Sequence, residues 1–257
     1  MKLDSTPILN FEIKDEVVYS PIDYLNYKQN IEGHKIPNIP EKCILCFEPS
    51  FVEYAKNNLN IKKIDWFRKD FIIHNLVDFN ILLVNVNYGA ALSAIALEEL
   101  IALGVKNFIV VGSAGTLQEN ILLGSFVIAE SAIREEGVSY HYSKPGKYAY
   151  CSSKLLSKAK ELITEKNNIF IGTTWSTDSF YRETITKVKK YKAEGVLSVD
   201  MEASALYTVA DYRKVDILSM FYISDSIANL KWNPEFHKTN SEETQKLMIN
   251  FAVSILS

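Results

Sequence analysis

The stretch from Gly195 to Asp225 constrains the fold more than any other part of the chain. Val196 to Val199 is a short apolar run of strand type, and Asp200, Met201 and Glu202 follow it. Ala203, Leu206, Tyr207 and Ala210 then recur at three- and four-residue spacing, the period of an amphipathic helix. A second apolar run, Ile217 to Ile223, stops at Ser224 and Asp225. A strand–helix–strand unit normally forms two adjacent parallel strands. Glu202 and Asp225 are therefore expected to leave one C-terminal sheet edge, where open α/β sheets bind ligands. Two carboxylates there suit one sugar ligand and one acid. A helix N-terminal acid and a helix-capping Asp fit the same spacing.

The remaining sequence narrows the class. With 257 residues, 47% hydrophobic and 23% charged, the chain has enough apolar content for one domain with a large core. A net charge of -3 argues against nucleic acid as partner, which would call for a basic face. The longest apolar runs, such as Phe108 to Val111 and Phe126 to Ala129, have strand length and fall far short of a membrane span. Met1 to Pro7 lacks the apolar core of a signal peptide, so the expectation is a cytoplasmic protein without a membrane partner. Cys43 and Cys46 lie three apart in a strand-like run and so face opposite sides. They read as core cysteines, with no second pair to complete a zinc site and no disulfide.

In chain order, Pro7, Pro21, Pro37 and Pro40 with Tyr19, Tyr24 and Tyr27 mark residues 1–40 as an arm without long regular elements. It packs on the body or on a neighbouring subunit through its aromatics. Residues 41–257 form the domain. Strands are expected at Lys42–Phe47, Trp66–Ile73 and Asn80–Val86, the latter two antiparallel, with a helix at Phe51–Asn58 after Pro49 and Ser50. Gly89 precedes a helix over Leu92–Leu103 capped by Gly104. Phe108 to Gly115 is a continuously apolar strand ending in Gly112-Ser113-Ala114-Gly115, either a turn offering N–H groups to an anion or sugar oxygen, or a plain tight turn. A strand at Phe126–Ser131 leads to a polar, aromatic loop at Arg134–Tyr142, and a helix covers Ser152–Glu165. A strand at Ile169–Thr173 leads to the loop Trp175–Glu183, dense enough in aromatics to wall a binding site. A lysine-rich helix follows at Thr186–Gly195, and the last helix, Ser241–Leu256, turns Leu247, Phe251, Val253 and Ile255 inward.

Five pieces in order carry a family resemblance: Gly89 to Ser93 with its Glu98-Glu99-Leu100 helix, Gly112 to Gly115, Thr177 to Tyr181, Val199 to Ala203, and Ile223 to Asp225. From about Lys42 onward the chain resembles the nucleoside phosphorylase superfamily, which includes bacterial purine nucleoside phosphorylase, uridine phosphorylase and methylthioadenosine/S-adenosylhomocysteine nucleosidase. The resemblance implies an α/β single domain, a mixed, partly closed β-sheet flanked by helices. It implies cleavage of the N-glycosidic bond of a nucleoside. Glu202 then binds the ribose hydroxyls with Met201 against the sugar, and Phe180 stacks on the base, unless it is an ordinary core aromatic. Asp200 is placed with Phe180 on the base side. Asp225, steadied by Ser224, is the general acid toward N7 of a purine. That role needs a pKa well above the usual ~3.9, hence poor solvation or a second carboxylate nearby. Ser113, Gly112, Gly89, Glu48 and Arg134 fall on the phosphate or water side. No metal or other cofactor is implied, phosphate being the co-substrate of a phosphorylase, and the assembly is a homo-oligomer, a dimer or trimer of dimers. Trp66, Phe67 and Arg68 are the expected neighbour contacts.

The chain departs from the phosphorylase pattern at the anion. Its first turn reads Phe47-Glu48-Pro49 where the family has Gly-Asp-Pro, and Phe51 and Val110 stand where two phosphate-binding arginines are expected. Arg134, Arg68, Lys231 and His141 are the candidate replacements. Phosphorolysis of a purine nucleoside is the first reading. Hydrolysis is the alternative, with Glu48 or Glu53 as base for water, Glu48 reading equally as a surface acid. A nucleoside-binding protein without catalysis is the third. Trp175 and Trp232 are assigned to the sugar's 5′ side.

Overall fold

A computed structural model describes residues 7–9, 12–164 and 168–257. The first half runs α1 (Pro21–Asn30), β1 (Lys42–Cys46), α2 (Pro49–Asn58), β2 (Ile61–Ile64), β3 (Phe71–Leu76), β4 (Ile81–Val86), α3 (Ala90–Ala102) and β5 (Asn107–Thr116). The middle is β6 (Phe126–Glu135), β7 (Tyr148–Tyr150), α4 (Ser153–Leu162), β8 (Ile169–Thr177) and α5 (Ile185–Ala193). The rest is β9 (Ser198–Asp200), α6 (Ala203–Arg213), β10 (Asp216–Ser226), β11 (Asn233–Pro234), α7 (Phe236–Thr239) and α8 (Glu242–Leu256).

The architecture turns on β5. Phe108 to Val111 are wholly buried, as a strand covered on both faces must be. The first half of β5 pairs parallel with β1 on one edge and with β10 on the other. The β1 strand stops at Cys46, and β9 takes the vacated edge, setting Val199 opposite Gly115 in antiparallel register. From β9 the pairing continues through β8 and β6 back to β10, so five strands close into a ring. The sheet then extends from β1 through β4, β3 and β2 as an open wing. This is the mixed, partly closed sheet that the resemblance implies. Helices α3 and α6 cover the face with Leu45 and Val110, while α2, α4 and α8 cover the face with Ile44 and Ile109. Cys43 and Cys46 fall in these two opposite cores.

Several expectations change. The strands flanking α6 are neither adjacent nor parallel: β5 lies between them, parallel to β10 and antiparallel to β9. Helix α6 is not amphipathic either, since Ala203 through Ala210 are all buried between the ring and α3. Tyr207 joins the layers, its hydroxyl donating to the Ala129 carbonyl (2.6 Å) and accepting from the Ser219 N–H (2.9 Å). Burial of Leu206 and Val209 adds about 1.5–3 kcal/mol each. Strand β8 runs on to Thr177, so Trp175 is not in a loop. It is fully buried against Tyr191 (ring centroids 4.9 Å apart), which removes it from the sugar's 5′ side. Trp66 precedes β3 instead of opening it, while β3 and β4 are antiparallel as expected. In α8, Leu247 faces outward and Met248, Ile249 and Ala252 fill the core. The end assigned to α4, Glu165, lies outside the described residues.

Ahead of β1, a capping box of Ser20 and Asp23, with Pro21 at the first helical position, starts a regular ten-residue helix. It packs on the body through Tyr24, edge-on to Phe67 (5.9 Å). Among the described residues no helix is long and apolar enough to cross a membrane.

Candidate active site

The ends of β9 and β10 meet at Gly115. It pairs with Val199 on one side and Asp225 on the other. A Cβ on Gly115 would lie 3.1 Å from Asp225 Oδ2 and 3.2 Å from Val199 Cγ1, so any side chain here would press on the Asp225 carboxylate. Glu202 and Asp225 thus belong to strands that flank the same residue of β5 in opposite directions, and do not leave one shared C-terminal edge.

Glu202 is buried, and its carboxylate receives the N–H of Gly89 at Oε1 (2.7 Å) and that of Met201 at Oε2 (3.2 Å). Gly89 turns its N–H inward from a φ of 108°, a conformation closed to side chains, just ahead of α3. Burial, then the charges of Asp200 and Glu48, raise the Glu202 carboxyl to about 8, against the pull of both N–H groups. Asp200 does different work. Its Oδ1 accepts from Thr174 (3.0 Å) and Ser176 (2.9 Å), and its Oδ2 from the N–H groups of Glu202 (2.8 Å) and Ala203 (2.6 Å). With every lone-pair direction engaged it caps α6 and fixes Glu202 from behind, instead of reaching a base.

Asp225 is buried, and its carboxylate accepts from the Ser224 hydroxyl at Oδ1 (2.9 Å) and from Trp232 Nε1 at Oδ2 (3.0 Å). Burial pushes its pKa up, and the two donors oppose the shift. A cavity of about 300 Å³ adjoins it, lined among others by Phe180, Tyr181, Glu183, Lys231 and Trp232. Phe180 is half-exposed in the turn Phe180–Arg182, available to a flat ring and not committed to a core. Glu183 is the residue that sequence reasoning missed. Burial and then the charge of Asp225 lift its carboxyl to about 7. The need for a raised Asp225 had pointed to a second carboxylate, and its place inside the loop ending at Glu183 was the only signal.

The anion side is acidic. Glu48 ends the turn after β1, and its carboxylate lies against Ser113 and Gly112. Oε2 is buried and finds no donor among the described residues. Burial raises the Glu48 carboxyl, opposed by the Ser113 hydroxyl and N–H. Phe51 and Val110, at the expected arginine positions, are fully buried in the core. Arg134 is buried and spent on its own loop, donating to the Ser139 hydroxyl (2.9 Å) and to the carbonyls of Ser139, Ser143 and Lys144 (2.9, 3.2 and 2.8 Å). It is therefore not a phosphate ligand in this arrangement. Arg68 pairs with Asp70 and with Glu99 (2.9 Å), Glu53 is exposed on α2, and His141 ends the turn Val138–His141. Lys231 lines the cavity beside Trp232. A larger cavity, about 900 Å³, lies at the opposite pole, around the first residues of β5 and β10. Lysines there are paired, Lys106 with Glu41 and Lys154 with Asp216, and none of the buried carboxylates above reaches it. Among the described residues no group of three or more His, Cys, Asp or Glu is arranged to hold a metal ion.

Comparison with known proteins bears on this site. Residues 42–257 match the family model described as the phosphorylase superfamily. A DeoD-type purine nucleoside phosphorylase of Brevibacillus brevis is 37% identical over 139 residues, 53% of this chain and 59% of that protein. Another, from Bacillus cytotoxicus, is 38% identical over 143 residues, 54% of this chain and 60% of that protein. The chain thus spans less than two thirds of the length of these relatives. The crystal structure of uridine phosphorylase from Vibrio fischeri ES114 superposes with a TM-score of 0.75 at 28% identity, covering 85% of this chain and 92% of that one.

Proposed function

The chain belongs to the phosphorylase superfamily, and from that premise we propose that it cleaves the N-glycosidic bond of a purine nucleoside by phosphorolysis, releasing the free base and a sugar 1-phosphate. The observation that carries this reading is the pair of buried, pKa-raised carboxyls, Glu202 and Asp225, at the meeting ends of β9 and β10. The departing base needs a proton. Burial shifts the Asp225 carboxyl toward its protonated form, and Asp225 delivers the proton to N7, an atom pyrimidines lack. Glu202, oriented by Gly89 and Met201, accepts from the ribose hydroxyls. Phe180 stacks on the base from the cavity wall. Under this reading Glu48 keeps its proton and donates to the phosphate, since an ionised Glu48 would repel it.

A second reading, hydrolysis, is favoured by one specific observation: a buried carboxylate oxygen of Glu48 without a donor, beside Ser113, with core residues at both arginine positions. An ionised Glu48 there takes a proton from water. The test is to incubate purine nucleosides, with 5′-deoxy and 5′-methylthio forms included, with and without phosphate, and to identify the sugar. Sugar 1-phosphate formed only with phosphate supports the first reading. Free sugar at equal rates in both conditions, lost in Glu48→Gln, replaces it with the second. The reading includes a homo-oligomer, for which the exposed Val18, Tyr19 and Ile22 supply apolar surface. A monomeric mass in solution would refute that part.

A further inference from the structure

Beyond Asp225 the chain folds back on its own strand. Asn233 and Pro234 pair antiparallel with Ser226 and Asp225, and the Glu235 N–H donates to the Ser224 carbonyl (3.1 Å). The reversal places Leu230 in the left-handed region, φ 59°, a conformation that a leucine keeps only where its surroundings impose it. The fold-back lays the Trp232 indole on the Asp225 carboxylate, Nε1 to Oδ2 at 3.0 Å. Trp232 touches Phe236 (ring centroids 6.0 Å apart) yet is 58% exposed, so the bond to Asp225 and little burial hold it there.

The two carboxylate oxygens are not equivalent. Oδ1 is tied to Ser224, which is itself buried and directed at the Ala114 carbonyl as well (3.4 Å). Oδ2 is held by the exposed Trp232 indole. An acid that serves N7 of a base must turn one oxygen toward that base, and only Oδ2 can be freed without opening the core. An indole N–H and an N7 atom also make opposite demands: the first is a donor to the carboxylate, the second an acceptor from the carboxylic acid. The bond to the indole therefore favours the ionised carboxylate, whereas service to N7 needs the protonated one. Resting on the function proposed above, we propose that Trp232 is a positioning residue that occupies Asp225 Oδ2 in the empty site and is displaced by the five-membered-ring edge of the incoming purine.

The other groups around Asp225 do not supply this switch. Gly115 lies beside it without charge, Ser224 is fixed, Glu183 acts through its charge, and Lys231 shares the adjoining cavity. Loss of the indole donor removes a bond that favours the ionised carboxylate. In Trp232→Phe the free-enzyme acid then titrates higher, and kcat/KM persists to higher pH by about one unit. The limb of kcat, which reports the complex after displacement, stays in place. A purely structural role would shift both limbs together or neither, and either result overturns the proposal. Two measurements do not need turnover. The Asp225 carboxyl carbon, followed by NMR in the empty protein, should titrate higher in Trp232→Phe than in the parent. An unchanged value overturns the proposal, whereas absence of cleavage by the parent protein overturns the function reading instead. Binding of an uncleavable purine C-nucleoside should change the fluorescence component that Trp232→Phe removes, and no change would refute displacement.

Discussion

Replacing Glu202 by glutamine keeps the side chain's size and removes one ionisation, which makes it a direct probe of the site's field. An ordinary glutamate titrates at 4.5, and Glu202 is lifted to about 8, by burial first and by Asp200 second. Below pH 4.5 folded and unfolded chains both hold this proton, and the group leaves stability unchanged. From there to about pH 8 the unfolded chain releases the proton and the folded chain keeps it. Stability accordingly falls by about 1.4 kcal/mol per pH unit, about 5 kcal/mol in all, and the loss is constant above pH 8. Glu202→Gln is exempt. The stability of the variant minus that of the parent, from urea denaturation between pH 4 and 9, should climb across this window and then level off. Differences in hydrogen bonding to Gly89 and Met201 add a constant offset, and raised carboxyls that do not interact with Glu202 cancel in the subtraction. A difference independent of pH would refute the argument that burial and Asp200 hold Glu202 neutral. Ribose recognition should fail in the same variant, seen as lost discrimination between ribo and 2′-deoxy substrates.

Asp225→Asn should lower the rate of purine nucleoside cleavage by about 10²–10⁴-fold with an unchanged circular dichroism spectrum; full activity would remove Asp225 as the acid. Gly115→Ala presses a methyl group against the Asp225 carboxylate and Val199, and should lower kcat about tenfold with only a small change in Tm. Arg134→Gln, in contrast, should destabilise the fold by about 3 kcal/mol in urea denaturation, because carbonyls of residues 139–144 lose their charged donor. Its kcat for the folded fraction should be close to the parent's; selective loss of phosphate affinity would return Arg134 to the anion site.

The pieces that local chemistry dictates were legible in the chain. Apolar runs such as Phe108 to Val111 mark buried strands, and Pro49, Gly89 and Ser241 mark helix starts. The segment from Asp200 to Asp225 marked two acids that follow apolar strands. Three things were decided only by tertiary pairing. Strand β9 takes the edge of β5 that β1 leaves free, because β10 already holds the other, so local strand–helix–strand rules gave the wrong neighbour. Whether a polar side chain is spent or available depends on what surrounds it: Asp200 and Arg134 are consumed by hydrogen bonds within the fold, while a Glu48 oxygen is left without one. The raised carboxyls of Glu202, Glu183 and Asp225 follow from desolvation, joined at Glu202 by the charge of Asp200 and at Glu183 by that of Asp225, and the burial does not exist until the chain is folded. Residue order determines which groups the chain carries and which local elements it forms; the closing of the ring determines which of those groups meet.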